Sequence, residues 1–485
     1  MTQFATTREK NRTGVCFSCT RQTCRKALLL LIFRTATLLC LLTSVVCVEA
    51  ATFKAGVAKA DITPPPGLAM YGFLDRLRDK KSSTGTLDPL YARVLVIEAD
   101  GKRLALITLD LGRTFNEADL AQLRQEVMKS AGISYLIVTA SHTHSGPNIL
   151  DQYPGKRPPA WETAALDKIV AAVSEATARL TDARIGIGRG RVYIGYNRRQ
   201  VHSDGTVTML WTNPERRPTS PLDPSVLVMR IDDRTGTPLA ILVNYACHPV
   251  VFGADNLRYS ADYVAKMRTT VETAFIDQPL CFFLQGADGD INPYYATTTI
   301  ADGALARRDW TGEQLGEEAV HVAKEIHTDI PASPAIDFAD DLLSHRLRWP
   351  VAQFREGMLN TYGPLVFEDH AELIAQDPLP DHLDLHVITL LLNKNIVLVG
   401  MPGEPFVDFQ ISFRDRCPVP NAFFVGYTNG YFDYFPTITA ATEGGYGAAD
   451  SNTYVEVGAG ERMLRHALVR IYEMLGKLSD TPERD

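Results

Sequence analysis

The sequence predicts an α/β fold built on a mixed sheet, and three observations carry that reading. Short β-type runs alternate with helical patterns from residue 52 onward, several runs pair as hairpins, and no low-complexity linker, charge block or internal repeat interrupts them. The hairpins exclude a purely parallel barrel. The 485 residues are 45% hydrophobic and 9% aromatic, an ordinary globular composition that excludes a disordered, collagen-like or disulfide-scaffold protein. One domain is expected from residue 51 to 485, with the stretch near 336–383 as a candidate insertion.

The elements follow in order. LYARVLVIEADGKRLALITLD predicts a hairpin whose Asp100-Gly101 turn accepts positive φ. FNEADLAQLRQEVMKSAG spaces its apolar residues at near-helical intervals and stops at Gly132. YLIVTAS is a strand, WETAALDKIVAAVSEATARL a helix, and VLVMRI with LAILVNYAC a second hairpin. ADYVAKMRTTVETAF predicts a helix, PLCFFLQG a strand and EQLGEEAVHVAKEIH a further helix. LDLHVITLLLNKNIVLVG is a third hairpin, NAFFVGY a strand, and GERMLRHALVRIYEMLG a closing helix.

Residues 27–48 form an apolar run behind a basic, polar stretch, interrupted by Arg34. Val48 and Ala50 stand three and one residues before Ala51, the small-residue pattern of signal-peptide cleavage. Residues 1–50 are therefore expected to be a signal peptide cleaved near Ala50, which sends the protein to the periplasm, the cell surface or the medium. An uncleaved signal anchor is the alternative. No later segment is apolar for long enough to cross a bilayer, so no stable membrane insertion is expected after cleavage. Cys16, Cys19, Cys24, Cys40 and Cys47 lie in the removed part, which leaves Cys247, Cys281 and Cys417, too few to staple a fold of this size. The net charge is -8, and without the first fifty residues the chain holds 42 basic and 55 acidic residues. That acidic body argues against a nucleic-acid partner.

Five polar clusters directly follow apolar strands: Ser141-His142-Thr143-His144, His248-Pro249, Asp288-Gly289-Asp290-Ile291-Asn292, Glu404, and Tyr431 with Tyr434. Ligands bind outside the carboxyl ends of strands in α/β sheets, so five such loops suggest one shared site. Two imidazoles and a carboxylate suit a catalytic zinc with an open position. Each cluster alone also has a purely structural reading, as a helix cap, a turn or a rim aromatic. Asp288-x-Asp290-x-Asn292 mimics the start of a calcium loop, but Pro293 stands where that loop needs Gly and Thr299 where it needs Glu. Composition and spacing lead to a metal-dependent hydrolase and no further.

At ASHTHSGPN, NYACHPVV, GDINP, MPGEPF and the Asn429-x-Tyr431-x-x-Tyr434 block, the sequence resembles the neutral/alkaline non-lysosomal ceramidases. The resemblance begins at AGVAKADITPPPGLAMYGF and runs to the last helix. It implies an α/β zinc-hydrolase catalytic domain without that family's C-terminal β-sandwich. It also implies one Zn²⁺ per chain, held by His142, His248, Glu404 and Tyr434. His144 falls on a residue the family needs for catalysis, and Arg198 in GYNRRQ looks like its N-x-N-R arginine. Two departures stand out. Asn292 replaces a serine proposed to be catalytic, and Thr442 precedes Glu443-Gly444-Gly445 where the family carries a further tyrosine.

The resemblance thus implies hydrolysis of an N-acyl amide, in ceramide or a related small-molecule or lipid substrate. His144 would protonate the leaving amine, Arg198 would hold a substrate oxygen or the product carboxylate, and Asn292 would donate to an oxyanion. Asp290 is expected either to orient a ligand histidine or to stabilise its turn. The departures make smaller, more soluble N-acyl amides the expected better substrates. The alternatives are a zinc hydrolase of the same fold acting on another amide or ester, and a non-catalytic ligand-binding homologue.

Overall fold

Alternation along Tyr91–Ala99 sets the layers. Ala92, Val94 and Val96 enter one hydrophobic core while Leu95, Ile97 and Ala99 enter another, so the strand is covered on both faces. A computed structural model describes residues 52–478 apart from residues 80, 152–157, 351, 354–355 and 357–380, together with residue 14. The expected export signal and its cleavage point lie outside the described residues, as does most of the stretch read as an insertion. Among the described residues, no helix is long and apolar enough to cross a membrane.

The first sheet is built from β1 (Phe53–Asp61), β2 (Tyr91–Ala99), β3 (Lys102–Leu109), β4 (Tyr135–Ala140), β5 (Thr181–Arg191), β6 (Ser225–Asp233), β7 (Pro238–Tyr245) and β8 (Leu280–Gln285). Their order is β8-β7-β6-β5-β1-β2-β3-β4. The second sheet runs β9 (Ile336–Arg346), β10 (His382–Leu392), β11 (Ile396–Gly400), β12 (Asn421–Val425) in that order. The β2–β3 hairpin turns at Asp100 and Gly101, with φ of 49° and 70°, as the sequence predicts. In the two main sheets β3–β4, β7–β8 and β11–β12 are parallel and the other pairs antiparallel.

Among the described residues, six helices cover the sheets: α1 (Glu117–Ala131), α2 (Ala160–Ala178), α3 (Tyr263–Thr273), α4 (Ala304–Glu325), α5 (Val407–Arg416) and α6 (Ala459–Met474). One core lies between the first sheet and α1–α4, a second between the two sheets, and a third between the second sheet and α5 with α6. The result is an αββα stack. Asn116 caps α1 by accepting from Asp119 N–H, and Gly132 closes it at φ 64°, satisfying end groups that the helix itself leaves open.

The mixed α/β reading stands. Three strands of the two main sheets, β1, β5 and β9, are absent from the sequence reading. β5 is TDARIGIGRGR, and its glycines clear the way for α4. A Cβ at Gly188 would lie 2.7 Å from Val322, and one at Gly186 would run into the His327 carbonyl. β9 opens the stretch read as an insertion, yet it pairs with β10 along its full length and buries Ile336 in the core.

The edge strands of the first sheet meet. Gln285, at the end of β8, donates from Nε2 to the carbonyls of Ser141 (3.1 Å) and Cys247 (3.0 Å), just past β4 and β7. Gly426, just past β12, joins them through Gln285 O (3.0 Å) and Thr139 Oγ1 (3.0 Å). The carboxyl ends of all three parallel pairs therefore open on one place.

Candidate metal centre

His142 leaves β4 with φ 66°, a left-handed conformation that non-glycine residues rarely hold. Its N–H continues the ladder to Leu111 O, and its ring lies on Tyr427 with centroids 4.3 Å apart. Nδ1 meets Gly112 O at 2.7 Å. His248 follows β7, and its Nδ1 meets the carbonyls of Asp288 (2.7 Å) and Ile291 (3.1 Å). A carbonyl only accepts, so both Nδ1 atoms carry the proton and both Nε2 atoms are free to bind a cation. Glu404 stands between them, with Oε2 3.2 Å from His248 Nε2 and Oε1 3.5 Å from His142 Nε2. Two imidazole lone pairs and a carboxylate face one another, all three buried. A metal ion would satisfy all three at once.

The local electrostatics agree. Burial lowers His142 to about 4 and holds His144 well below the ordinary imidazole range, with the neighbouring histidines adding to it. Both rings are thus in the neutral, metal-binding form at neutral pH. Burial acts against His248 as well, but Asp288 and Glu404 outweigh it and raise its pKa. Burial opposes ionisation of Glu404, yet His142, His248 and the Tyr431 hydroxyl keep it ionised.

His144 Nε2 lies 3.1 Å from His142 Nε2, and its buried Nδ1 has no hydrogen-bond partner. The three histidines offer ring nitrogens that lie within 4.8 Å of one another. Two overlapping donor sets therefore share His142 and His248, one completed by Glu404 and the other by His144. Arg198 closes the opposite side. It donates to Gly289 O (2.7 Å), Tyr434 OH (3.1 Å) and Asn292 Oδ1 (3.3 Å), and the rings of Trp211, Tyr434 and Tyr446 surround it. Burial works against its charge, but Tyr434, Tyr446 and Glu404 hold it protonated. Its Nε is buried without a partner.

The sequence pattern of the family described as neutral/alkaline non-lysosomal ceramidase, N-terminal, matches residues 53–304, just over half of the chain. This chain belongs to the neutral/alkaline non-lysosomal ceramidase family. It is 30% identical over 152 residues to the neutral ceramidase of Pseudomonas aeruginosa, and 25% identical over 244 residues to that of Drosophila pseudoobscura pseudoobscura. Those stretches are 29% and 46% of this chain but only 22% and 33% of the two relatives. Among solved structures, a ceramidase complexed with C2 superposes with a TM-score of 0.71 at 18% identity, over 90% of this chain and 77% of that one. The neutral ceramidase from Pseudomonas aeruginosa gives 0.68 at 18% identity, over 90% and 76%. At that identity the likeness shows the shared ceramidase fold.

Within this ceramidase fold His142, His144, His248, Glu404, Tyr434, Arg198 and Asn292 all reach one centre. Asn429 explains how the tyrosine block is held. Its side chain accepts from Val138 N–H (2.8 Å) and donates to Leu136 O (3.2 Å), pinning the loop to β4. Glu404–Pro405 then pairs with Tyr434–Phe435, which sets Glu404 beside Tyr434. Asp290 does not touch a histidine. Its carboxylate accepts from Asn197 Nδ2 (2.7 Å) and Val407 N–H (2.8 Å), so it ties distant segments together rather than orienting a histidine or holding its own turn, and Asp288 is the acid beside His248.

Thr442 also lies off the site, donating to Thr439 O within an exposed helical turn. Tyr446, four residues on, instead packs 5.4 Å from Tyr434 and 5.3 Å from Trp211, with Arg198 over its ring. A phenol therefore does stand in this corner, at a shifted position. The sequence alone does not single out Tyr71 or Tyr427. Neither follows a motif of charged residues, and only the run of tyrosines in Tyr427-x-x-x-Tyr431-x-x-Tyr434 signals the second.

Proposed function

We propose that this chain is a zinc-dependent amidohydrolase that cleaves an N-acyl amide, in ceramide or a related N-acyl substrate. The observation that carries it is the convergence of His142 Nε2, His248 Nε2 and the Glu404 carboxylate, with both Nδ1 protons committed to carbonyls behind. This nitrogen and oxygen set suits one Zn²⁺ per chain, with the Tyr434 hydroxyl as the fourth donor. Bound there, zinc supplies a Lewis acid that polarises the amide carbonyl and acidifies a water.

The chain's own residues do the rest. His144, neutral at neutral pH, takes a proton from the attacking water at Nε2 and returns it to the leaving nitrogen. Arg198 binds the substrate oxygen and then the product carboxylate through its fork of donors. Asn292 has no hydroxyl or thiol, so no acyl-enzyme forms at that position. Its Oδ1 accepts from Arg198, and its Nδ2 points toward Trp211 O at 3.4 Å, leaving one amide hydrogen for an oxyanion.

The purified protein should hold close to one zinc per chain by elemental analysis and release amine from N-acyl amides. A panel of ceramide, short-chain N-acyl amines and N-acyl amino acids ranks the substrates. Tyr446 supplies a phenol beside Tyr434 and Arg198, while Asn292 and the acidic body still argue for a shift away from ceramide. Metal-free protein that turns over none of the panel after zinc addition would overturn this reading and leave the two alternatives, a zinc hydrolase of another amide or ester and a ligand-binding homologue. Export follows from residues 27–50 and is checked by N-terminal sequencing of the mature protein, which should begin near Ala51.

A further inference from the structure

Tyr71 touches His142, His144 and Tyr431 without belonging to any motif that singles the metal centre out. Its ring lies flat against Gly112, where an added Cβ would fall into it, and the Gly112 carbonyl is the group that orients His142. The same ring meets His142 and His144 edge-on at 5.6 and 5.5 Å. Its hydroxyl donates to Tyr431 OH at 2.8 Å, and that hydroxyl donates to Glu404 Oε1 at 2.6 Å. A donor on Oε1 fixes the rotation of the carboxylate and leaves Oε2 turned toward His248. The second hydroxyl keeps the first from turning away.

The backbone around Tyr71 is held with equal care. Gly72, at φ 102°, packs so close that a Cβ would lie 2.5 Å from the His144 ring, and Phe73 covers that ring at 5.3 Å. Arg76, 1% exposed, spends all five N–H donors on carbonyls: Tyr71, His144, Gly253, Ala254 and Asn256. No carboxylate pairs with it among the described residues. One buried guanidinium therefore ties the Tyr71 segment to the backbone of His144.

Resting on the zinc reading above, we propose that Tyr71 is a positioning residue of the metal centre, acting on Glu404 through the Tyr431 hydroxyl and held in place by Arg76. Groups that orient metal ligands typically change affinity 10–100-fold when removed.

The test compares Tyr71→Phe, Tyr431→Phe and the double variant, each of which keeps its rings and packing. Zinc dissociation constants come from chelator competition, and Co²⁺-substituted protein reports ligand geometry by its absorption spectrum. Tyr431→Phe should weaken zinc by about 10–100-fold and Tyr71→Phe by about tenfold, both with shifted cobalt spectra. The double variant should bind no more weakly than Tyr431→Phe, because Tyr71 works through that hydroxyl. Wild-type affinity and spectrum in Tyr71→Phe, or a double variant whose loss is the product of the two single losses, overturns the assignment alone. A wild-type chain with no zinc affinity overturns the zinc reading and this assignment together.

Discussion

His142 and His144 are two residues apart and face the same centre, but the backbone treats them differently. His142 holds a left-handed φ of 66° and commits Nδ1 to Gly112 O, the arrangement of a ligand whose inward nitrogen must stay unprotonated. His144 has no such partner on Nδ1, and its place is set by packing against Tyr71, Gly72 and Phe73. A ring oriented by packing rather than by a second hydrogen bond is suited to a proton carrier. His142→Ala and His248→Ala should therefore each lose zinc and activity together. His144→Ala should keep zinc while kcat falls by roughly 10²–10⁴-fold, the usual cost of losing an acid–base group. Metal content and kcat measured on the same preparations decide it. If His144→Ala strips the metal, the three-histidine donor set is the one in use and the proton must be carried elsewhere.

Strand β5 shows how an element can be invisible to propensity and still be indispensable. Gly186, Gly188 and Gly190 point at α4 and its C-terminal extension, where side chains would collide with the His327 carbonyl, with Val322 and Ile326, and with Glu318. The strand pairs with β6 along nine residues, so its position is set by its neighbours rather than by its own apolar content. Gly188→Ala meets branched side chains that can shift, and should destabilise by about 1 kcal/mol. Gly186→Ala meets a backbone carbonyl that cannot, and should cost about 3 kcal/mol. Urea melts of the two variants compare them, and equal losses would mean that α4 itself moves away. The elements legible in the sequence were those whose own side chains pay no such deference: the three hairpins, the capped α1 and the apolar strands leading to His142, His248 and Glu404. At the site, charged residues behind strands were legible, while Tyr71, Tyr427 and Tyr446 were not. Aromatics serve cores as readily as sites, and only three-dimensional placement separates the two uses. Asp290 was read from its neighbourhood in sequence, but strand-end geometry turned Asp288 toward the histidine.

Across the whole molecule, the site exists because two sheets hold their parallel pairs against each other, so contacts between the halves bear on it. One such contact is ionic. His386 on β10 places Nδ1 at 2.5 Å from Asp340 on β9 and Nε2 at 3.3 Å from Glu117 in the first turn of α1, joining the second sheet to the helix layer of the first. Burial acts to lower the pKa of His386, but the hydrogen bonds and charges of Asp340 and Glu117 outweigh it and raise it to about 9. The unfolded chain binds this proton with a pKa of about 6.5. The folded state therefore binds it more tightly, and the resulting stability is fully present below about pH 6.5 and fades as pH rises through about 9. The full shift would correspond to about 3 kcal/mol, and the solvent around Glu117, whose side chain is 59% exposed, screens it to roughly 1–2 kcal/mol. His386→Gln keeps a polar side chain of similar reach but cannot take the charge. Urea melts should show it less stable than wild type by that amount at pH 6.5, with the gap closing to a few tenths of a kcal/mol by about pH 10. A gap that is the same at both pH values would mean that packing, not the imidazolium, is what His386 contributes to the joint between the sheets.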